Sequence, residues 1–320
     1  MKDKYLKIAV AVFFAAVIFS TVFYPAANSM QVSIEKEAPP NIFEIFSSPY
    51  SYFSKGVHFL TEISEEQTED LTAYVPIIMY HRVTKDSKSL GKFAISPEEL
   101  EADFKYLKSA GYNSIFMEDL IGFVEKKVAL PQNPVVITFD DGNYSDFKYL
   151  YPLLMEYEMK AVVSIIGNPT DSYSEDERNM NFPNLTWTQI DEMVKSGFVE
   201  IQNHSYDMHG SNGSKRLSRE SVDDYKIRFV SDISKVQDRT VDMLGRKPTT
   251  FTYPLGKISA ESDEILKELD FSASLSCYEG INKVTQGDFE NLFSLKRCIR
   301  KHGVPVSAVL SRILNEELIN

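Results

Sequence analysis

From Val75 to the C-terminus, apolar runs of strand length alternate with stretches of helical spacing. The strand-like runs are Val75–His81, Ser114–Phe116, Val135–Phe139, Ala161–Ile166, Phe198–Asn203, Thr249–Tyr253, Ala273–Cys277 and Leu295–Ile299. Ser96-Pro97-Glu98-Glu99 opens one helix with a serine N-cap, a proline at the first helical position and acids in the first turn. Further helices are expected over Met117–Lys126, Tyr149–Tyr157, Thr186–Ser196, Ser221–Leu244, Ser259–Leu269 and Ser307–Leu314. Sustained alternation of this kind leaves few architectures. Strands joined through helices run parallel, and a parallel sheet is covered by helices. The expected class is α/β, and in such folds reactive groups gather where strands end at their C-terminal side.

The 320 residues suit one large domain with an extension, or two small ones. The composition, 43% hydrophobic and 25% charged, is that of a globular protein. A formal charge of -12 excludes nucleic acid as the expected partner, because phosphate binding needs clustered Lys and Arg. Lys2, Lys4 and Lys7 precede the uncharged run Ile8–Tyr24. A basic segment before an apolar stretch is an export pattern. Residues 1–29 are therefore expected to be a signal peptide or membrane anchor, 30–72 a spacer, and 73–320 the folded domain. The chain is expected outside the cytoplasm, tethered to the membrane or secreted. Its two cysteines, Cys277 and Cys298, are read as a disulfide or as two free buried thiols.

Val135-Val136-Ile137-Thr138-Phe139-Asp140-Asp141-Gly142 delivers two adjacent carboxylates to a glycine turn. Consecutive strand side chains point to opposite faces, so both acids reach one cleft only where the backbone bends at a strand's end. Adjacent anions also repel unless a cation or proton lies between them. A metal held by one aspartate, with the other left free as a base, resolves that conflict. His204-Ser205-Tyr206-Asp207-Met208-His209 supplies two imidazoles on a loop leaving a predicted strand. Two histidines and a carboxylate make a common metal shell with open positions.

On these motifs the chain resembles the polysaccharide deacetylases, also called the NodB-homology or carbohydrate esterase family 4 enzymes. The likeness covers residues 73–319. Thr138-Phe139-Asp140-Asp141-Gly142 looks like the family's first motif, and His204 through His209 like its second, with one extra residue between the histidines. That spacing, with Tyr80-His81-Arg82-Val83 and Phe251-Thr252-Tyr253-Pro254-Leu255-Gly256, resembles the poly-N-acetylglucosamine deacetylase branch. The resemblance implies a distorted (β/α)7 barrel and an N-deacetylase acting on N-acetylated polysaccharide, expected here as a monomer. It implies Asp140 as general base and Asp141, His204 and His209 as ligands of a divalent metal, commonly zinc, with cobalt or nickel as alternatives.

Two departures follow from the same comparison. Thr252 stands where better-known members carry an arginine that steadies the base, so something else must set Asp140's pKa and orientation. Leu255 follows Pro254, and its backbone amide is the expected oxyanion donor. No late Leu-x-x-His segment supplies a general acid, which leaves His302 and His81 as candidates. Tyr144, Tyr206 and Pro254 are candidate glycan contacts, Asn203 is a candidate to orient the site, and Trp187 is read as core. Two other functions fit the same residues: an O-acetyl polysaccharide esterase, or a glycan-binding protein with weak turnover.

Overall fold

The computed structural model describes residues 71–175 and 183–319. The predicted signal or anchor segment and nearly all of the spacer lie outside them. Among the described residues, no helix is long and apolar enough to cross a membrane.

The strands are β1 (Thr72–Val75), β2 (Ile77–Tyr80), β3 (Arg82–Val83), β4 (Ala94–Ile95), β5 (Asn113–Ile115), β6 (Pro134–Asp141), β7 (Ala161–Ile165), β8 (Val199–Asn203), β9 (Thr250–Thr252), β10 (Ala273–Leu275), β11 (Asn282–Thr285) and β12 (Cys298–Ile299). The main sheet runs β10-β9-β8-β7-β6-β2-β12, with β5 beside the start of β6, and every pairing in it is parallel. It curls into a half-barrel, and an isolated parallel bridge between Leu275 and Leu295 links the β10 end to the segment leading into β12. Helices α1 (Pro97–Ser109), α2 (Met117–Lys126), α3 (Tyr151–Tyr157), α4 (Gly167–Ser174), α5 (Trp187–Lys195), α6 (Val222–Leu244), α7 (Ser262–Glu268) and α8 (Val306–Ile319) follow the strands.

The alternation read from sequence recurs with local corrections. Val75–His81 is two strands, because Pro76 has no N–H for a ladder. β1 turns away to pair antiparallel with β11, while the Pro76 carbonyl accepts from Val136 N–H at 3.0 Å. The helix expected from Tyr149 begins earlier, with a π-helical turn over Asp146–Leu150. The sequence reading missed α4, whose Gly-Asn-Pro-Thr start carries no apolar stripe, and β11, which is half exposed. Cys277 and Cys298 are not joined in a disulfide.

Side-chain parity explains where the site sits. Val135, Ile137 and Phe139 of β6 and Ala161, Val163 and Ile165 of β7 pack outward against the helices. The opposite parity begins apolar, with Val136 and Val162 in a second cluster that includes Met117 and Leu120 of α2. Towards the C-terminal ends it turns polar: Thr138 and Asp140, Ser164, Gln202 and His204. Period-two alternation thus carries Asp140 and His204 into the barrel's mouth. Trp187 lies in the core, 2% exposed, and donates from its indole to Asp171.

The predicted cap at Ser96 forms in full. Ser96 Oγ accepts from Glu99 N–H at 3.2 Å, and Glu99 accepts from Ser96 N–H at 2.9 Å. Glu99 also accepts from Gly303 N–H at 2.8 Å and lies 2.8 Å from His302 Nδ1. Partial burial raises the Glu99 carboxyl, but these donors and Arg300 outweigh it and lower its pKa to about 2. A depressed carboxylate contributes stability that is present above its unfolded value and lost as pH falls through the folded one. Glu99→Gln should therefore lower the melting temperature at pH 7 and have little effect near pH 2, measured by thermal unfolding across that range.

Candidate active site

Asp140 and Asp141 end β6. Asp141 leaves the extended region with φ +78°, followed by Gly142 at φ +64°. This is the bend that two adjacent acids need to share one cleft. A Cβ on Gly142 would stand 3.0 Å from Ile165 Cγ2, so the turn packs tightly on β7.

His204 follows β8 on the inner parity. Its Nδ1 lies 2.7 Å from the Thr252 carbonyl oxygen. A carbonyl only accepts, so the proton sits on Nδ1 and the Nε2 lone pair faces the cleft. Thr252, at the position of the missing arginine, thereby fixes the tautomer of His204 through its backbone. Asn203 shapes the next turn. Its Oδ1 accepts from Ser205 N–H at 2.8 Å, its Nδ2 donates to the Ile233 carbonyl at 2.9 Å, and Ser205 takes φ +69°. The loop then returns His209, whose ring centroid is 5.1 Å from that of His204.

Asp141 Oδ1 lies 3.5 Å from His204 Nε2 and 3.1 Å from His209 Nε2. It is buried and accepts no hydrogen bond among the described residues. One ligand atom from each of the three lies within 4.8 Å of the others. Two imidazole nitrogens and an orphaned carboxylate oxygen about one point fit a divalent cation of the zinc type. Burial pushes the Asp141 carboxyl up, but the two imidazoles overcome it and hold it well below the usual carboxylate range.

Asp140 is separately held. It is 2% exposed and bound by Arg297, with Nη1 donating to Oδ1 at 2.7 Å and Nη2 to Oδ2 at 2.8 Å. Arg297 is itself fully buried and anchored by Nε donating to the Ser276 carbonyl at 2.7 Å. Burial raises the Asp140 carboxyl, while Arg297 first, then His204 and His81, bring it below its ordinary value, so it is ionised. Arg297 is the group that sequence reading left unnamed. Its signal was present: a cation inside the strand-like run Leu295–Ile299, where a buried charge requires a partner.

Asp140, Asp141, His204 and His209 line one cleft of about 530 Å³ together with His81 and Leu255. His81 Nε2 lies 3.9 Å from Asp140 Oδ2, and its buried Nδ1 has no hydrogen-bond partner among the described residues. Burial lowers its pKa against the pull of both aspartates. Leu255 sits on a tight turn with φ +58° and reaches the cleft half exposed. A wider hollow of about 760 Å³ lies by Asn113, Lys160 and Thr249, at the N-terminal ends of the strands and away from the carboxylates.

Four expected site residues lie elsewhere. His302 is on the surface, held by Glu99, with its N–H donating to the Gly91 carbonyl at 2.9 Å. Tyr206 is turned outward by Ser205 and donates to Asp171 Oδ2 at 3.2 Å. Tyr144 is half-buried, with its backbone N–H donating to the Pro183 carbonyl at 2.9 Å. Pro254 is buried and shapes the turn that presents Leu255.

Residues 127–274 match the family model described as polysaccharide deacetylase. A poly-beta-1,6-N-acetyl-D-glucosamine N-deacetylase of Staphylococcus aureus (strain MRSA252) is 24% identical over 214 residues, covering 62% of this chain and 71% of that protein. A de-N-acetylase from Aggregatibacter actinomycetemcomitans superposes with a TM-score of 0.64 at 25% identity, over 75% of this chain and 99% of that one. The Streptococcus pyogenes deacetylase PplD, solved with acetate, shares the fold with a TM-score of 0.63 at 20% identity, over 76% of this chain and 99% of that one. The aspartate pair and the two histidines fall on the strand ends that the shared α/β fold brings together, and all four lie within the residues that match the polysaccharide deacetylase family model.

Proposed function

We propose that this protein is a metal-dependent hydrolase that removes N-acetyl groups from N-acetylglucosamine units of an extracytoplasmic polysaccharide. The observation that carries the reading is the division of labour between neighbouring aspartates. Asp141 turns an orphaned oxygen to two imidazole nitrogens, while Asp140 is held ionised on Arg297. A lectin has no need of that second carboxylate.

Asp141, His204 and His209 would hold the cation, zinc by its donor set, with cobalt or nickel as alternatives. When bound, it polarises the acetamido carbonyl and lowers the pKa of water. The remaining steps belong to the chain's own residues. Asp140 takes a proton from the attacking water, and the Leu255 N–H is the candidate donor to the oxyanion that forms. His81, in the same cleft, is the candidate donor of a proton to the departing amine, a role for which His302 is too far out on the surface. Water and amide become acetate and a free amine. The apolar segment before the spacer would export or tether the enzyme to reach its polymer.

Acetate release from N-acetylated and O-acetylated oligosaccharides tests the reading against the esterase alternative. The N-acetylated substrate should be turned over, and His81→Asn should slow that turnover about 10²-fold or more. His302→Ala should leave it unchanged. Release from the O-acetylated substrate alone would identify an esterase instead.

A further inference from the structure

We propose that Phe93 is the stacking platform for the pyranose ring of the sugar unit being deacetylated. The inference rests on the deacetylase reading and names what recognises the sugar rather than the acetyl group.

Phe93 lines the same cleft as the aspartates and imidazoles, yet is 52% exposed. Its neighbours Ala94 and Ile95 are buried in β4, which pairs with β3 directly after His81. The backbone around the ring is tied on three sides. Arg82 N–H donates to the Phe93 carbonyl at 3.1 Å, Gly91 N–H to the Ala94 carbonyl at 2.9 Å, and His302 N–H to the Gly91 carbonyl at 2.9 Å. The ring packs edge-on to His81 with centroids 4.8 Å apart. An aromatic ring has only two side-chain torsions to fix, so a pinned backbone yields a rigid surface at little entropic cost.

A cleft of about 530 Å³ is large enough for a ring as well as its acetamido group. A β-gluco pyranose carries its substituents equatorially and presents axial C–H bonds on each face. Those polarised hydrogens suit the negative face of an aromatic ring. Lys92, exposed with its Nζ 4.9 Å from the Phe93 centroid, adds a donor for the ring hydroxyls at the same lip.

The test is binding of a β-linked N-acetylglucosamine tetramer to the full chain in an Asp140→Asn background, measured by calorimetry. Phe93→Ala should weaken binding about 2- to 10-fold, Phe93→Tyr and Phe93→Trp should retain it, and Phe93→Leu should not. In turnover by otherwise unaltered enzyme, Phe93→Ala should raise KM more than it lowers kcat. Equal rescue by leucine and tyrosine would overturn the platform, as would unchanged binding and KM in Phe93→Ala. Failure of the deacetylase reading is seen separately, as no acetate released by the unaltered enzyme, and the binding series then still decides the role of Phe93.

Discussion

Arg297→Leu is expected to destabilise the fold by about 3–5 kcal/mol, the usual cost of stranding one member of a buried ion pair. Asp140, only 2% exposed, gains little water in its place, and both its oxygens lose a donor at once. Its carboxyl, already raised by burial, then loses the largest influence that holds it ionised. Acetate release should fall with stability, because a protonated Asp140 accepts nothing from water. Arg297→Lys should rescue little, since an ammonium cannot span both carboxylate oxygens while also replacing the Nε bond to Ser276.

A double variant separates the two effects. Replacing both partners with apolar groups, as in Asp140→Leu/Arg297→Leu, removes the stranded charge, and such exchanges are often neutral or stabilising. Urea unfolding should show most of the lost stability recovered, while acetate release stays at background. Were the single Arg297→Leu variant to cost less than about 1 kcal/mol, the value of an exposed pair, Arg297 would not be what holds the base.

The parts legible in the sequence were those whose signal is local. Strand–helix alternation named the sheet, and the doublet at Asp140 and Asp141 implied the bend now seen as a left-handed φ. His204 and His209 were readable because five residues and a strand end suffice to bring them together. Arg297 was not, because it lies 157 residues from Asp140 and meets it only through the order in which β12 joins β2. His302 and Tyr206 misled for the converse reason. Tyr206 stands between the two motif histidines and His302 is the one late histidine, yet one backbone rotation or one carboxylate on another helix turns each away. A motif fixes what a strand end offers, whereas the partners that tune it come from the closing of the sheet.

Chelator-treated protein is expected to release acetate no faster than buffer, and zinc, cobalt or nickel should restore the rate. An amide carbonyl is a poor electrophile; Arg297, beneath the cleft, is already bound to Asp140 and the Ser276 carbonyl, and Lys92 stands over Phe93 at the lip. In the proposed mechanism the polarising charge is supplied by a cation on Asp141, His204 and His209. Thr252 holds the Nδ1–H of His204 and so turns Nε2 to the cleft, the nitrogen that would ligate. His204→Ala should lose both the metal, read by elemental analysis, and turnover, and added zinc should not recover it. Asp140→Asn should keep the metal and still lose turnover, which distinguishes a base from a ligand. His302→Ala should keep both. Full acetate release from protein shown to contain no metal, or a His204→Ala variant that retains one equivalent, would mean that the three side chains meet for structural reasons and the chemistry lies elsewhere in the cleft.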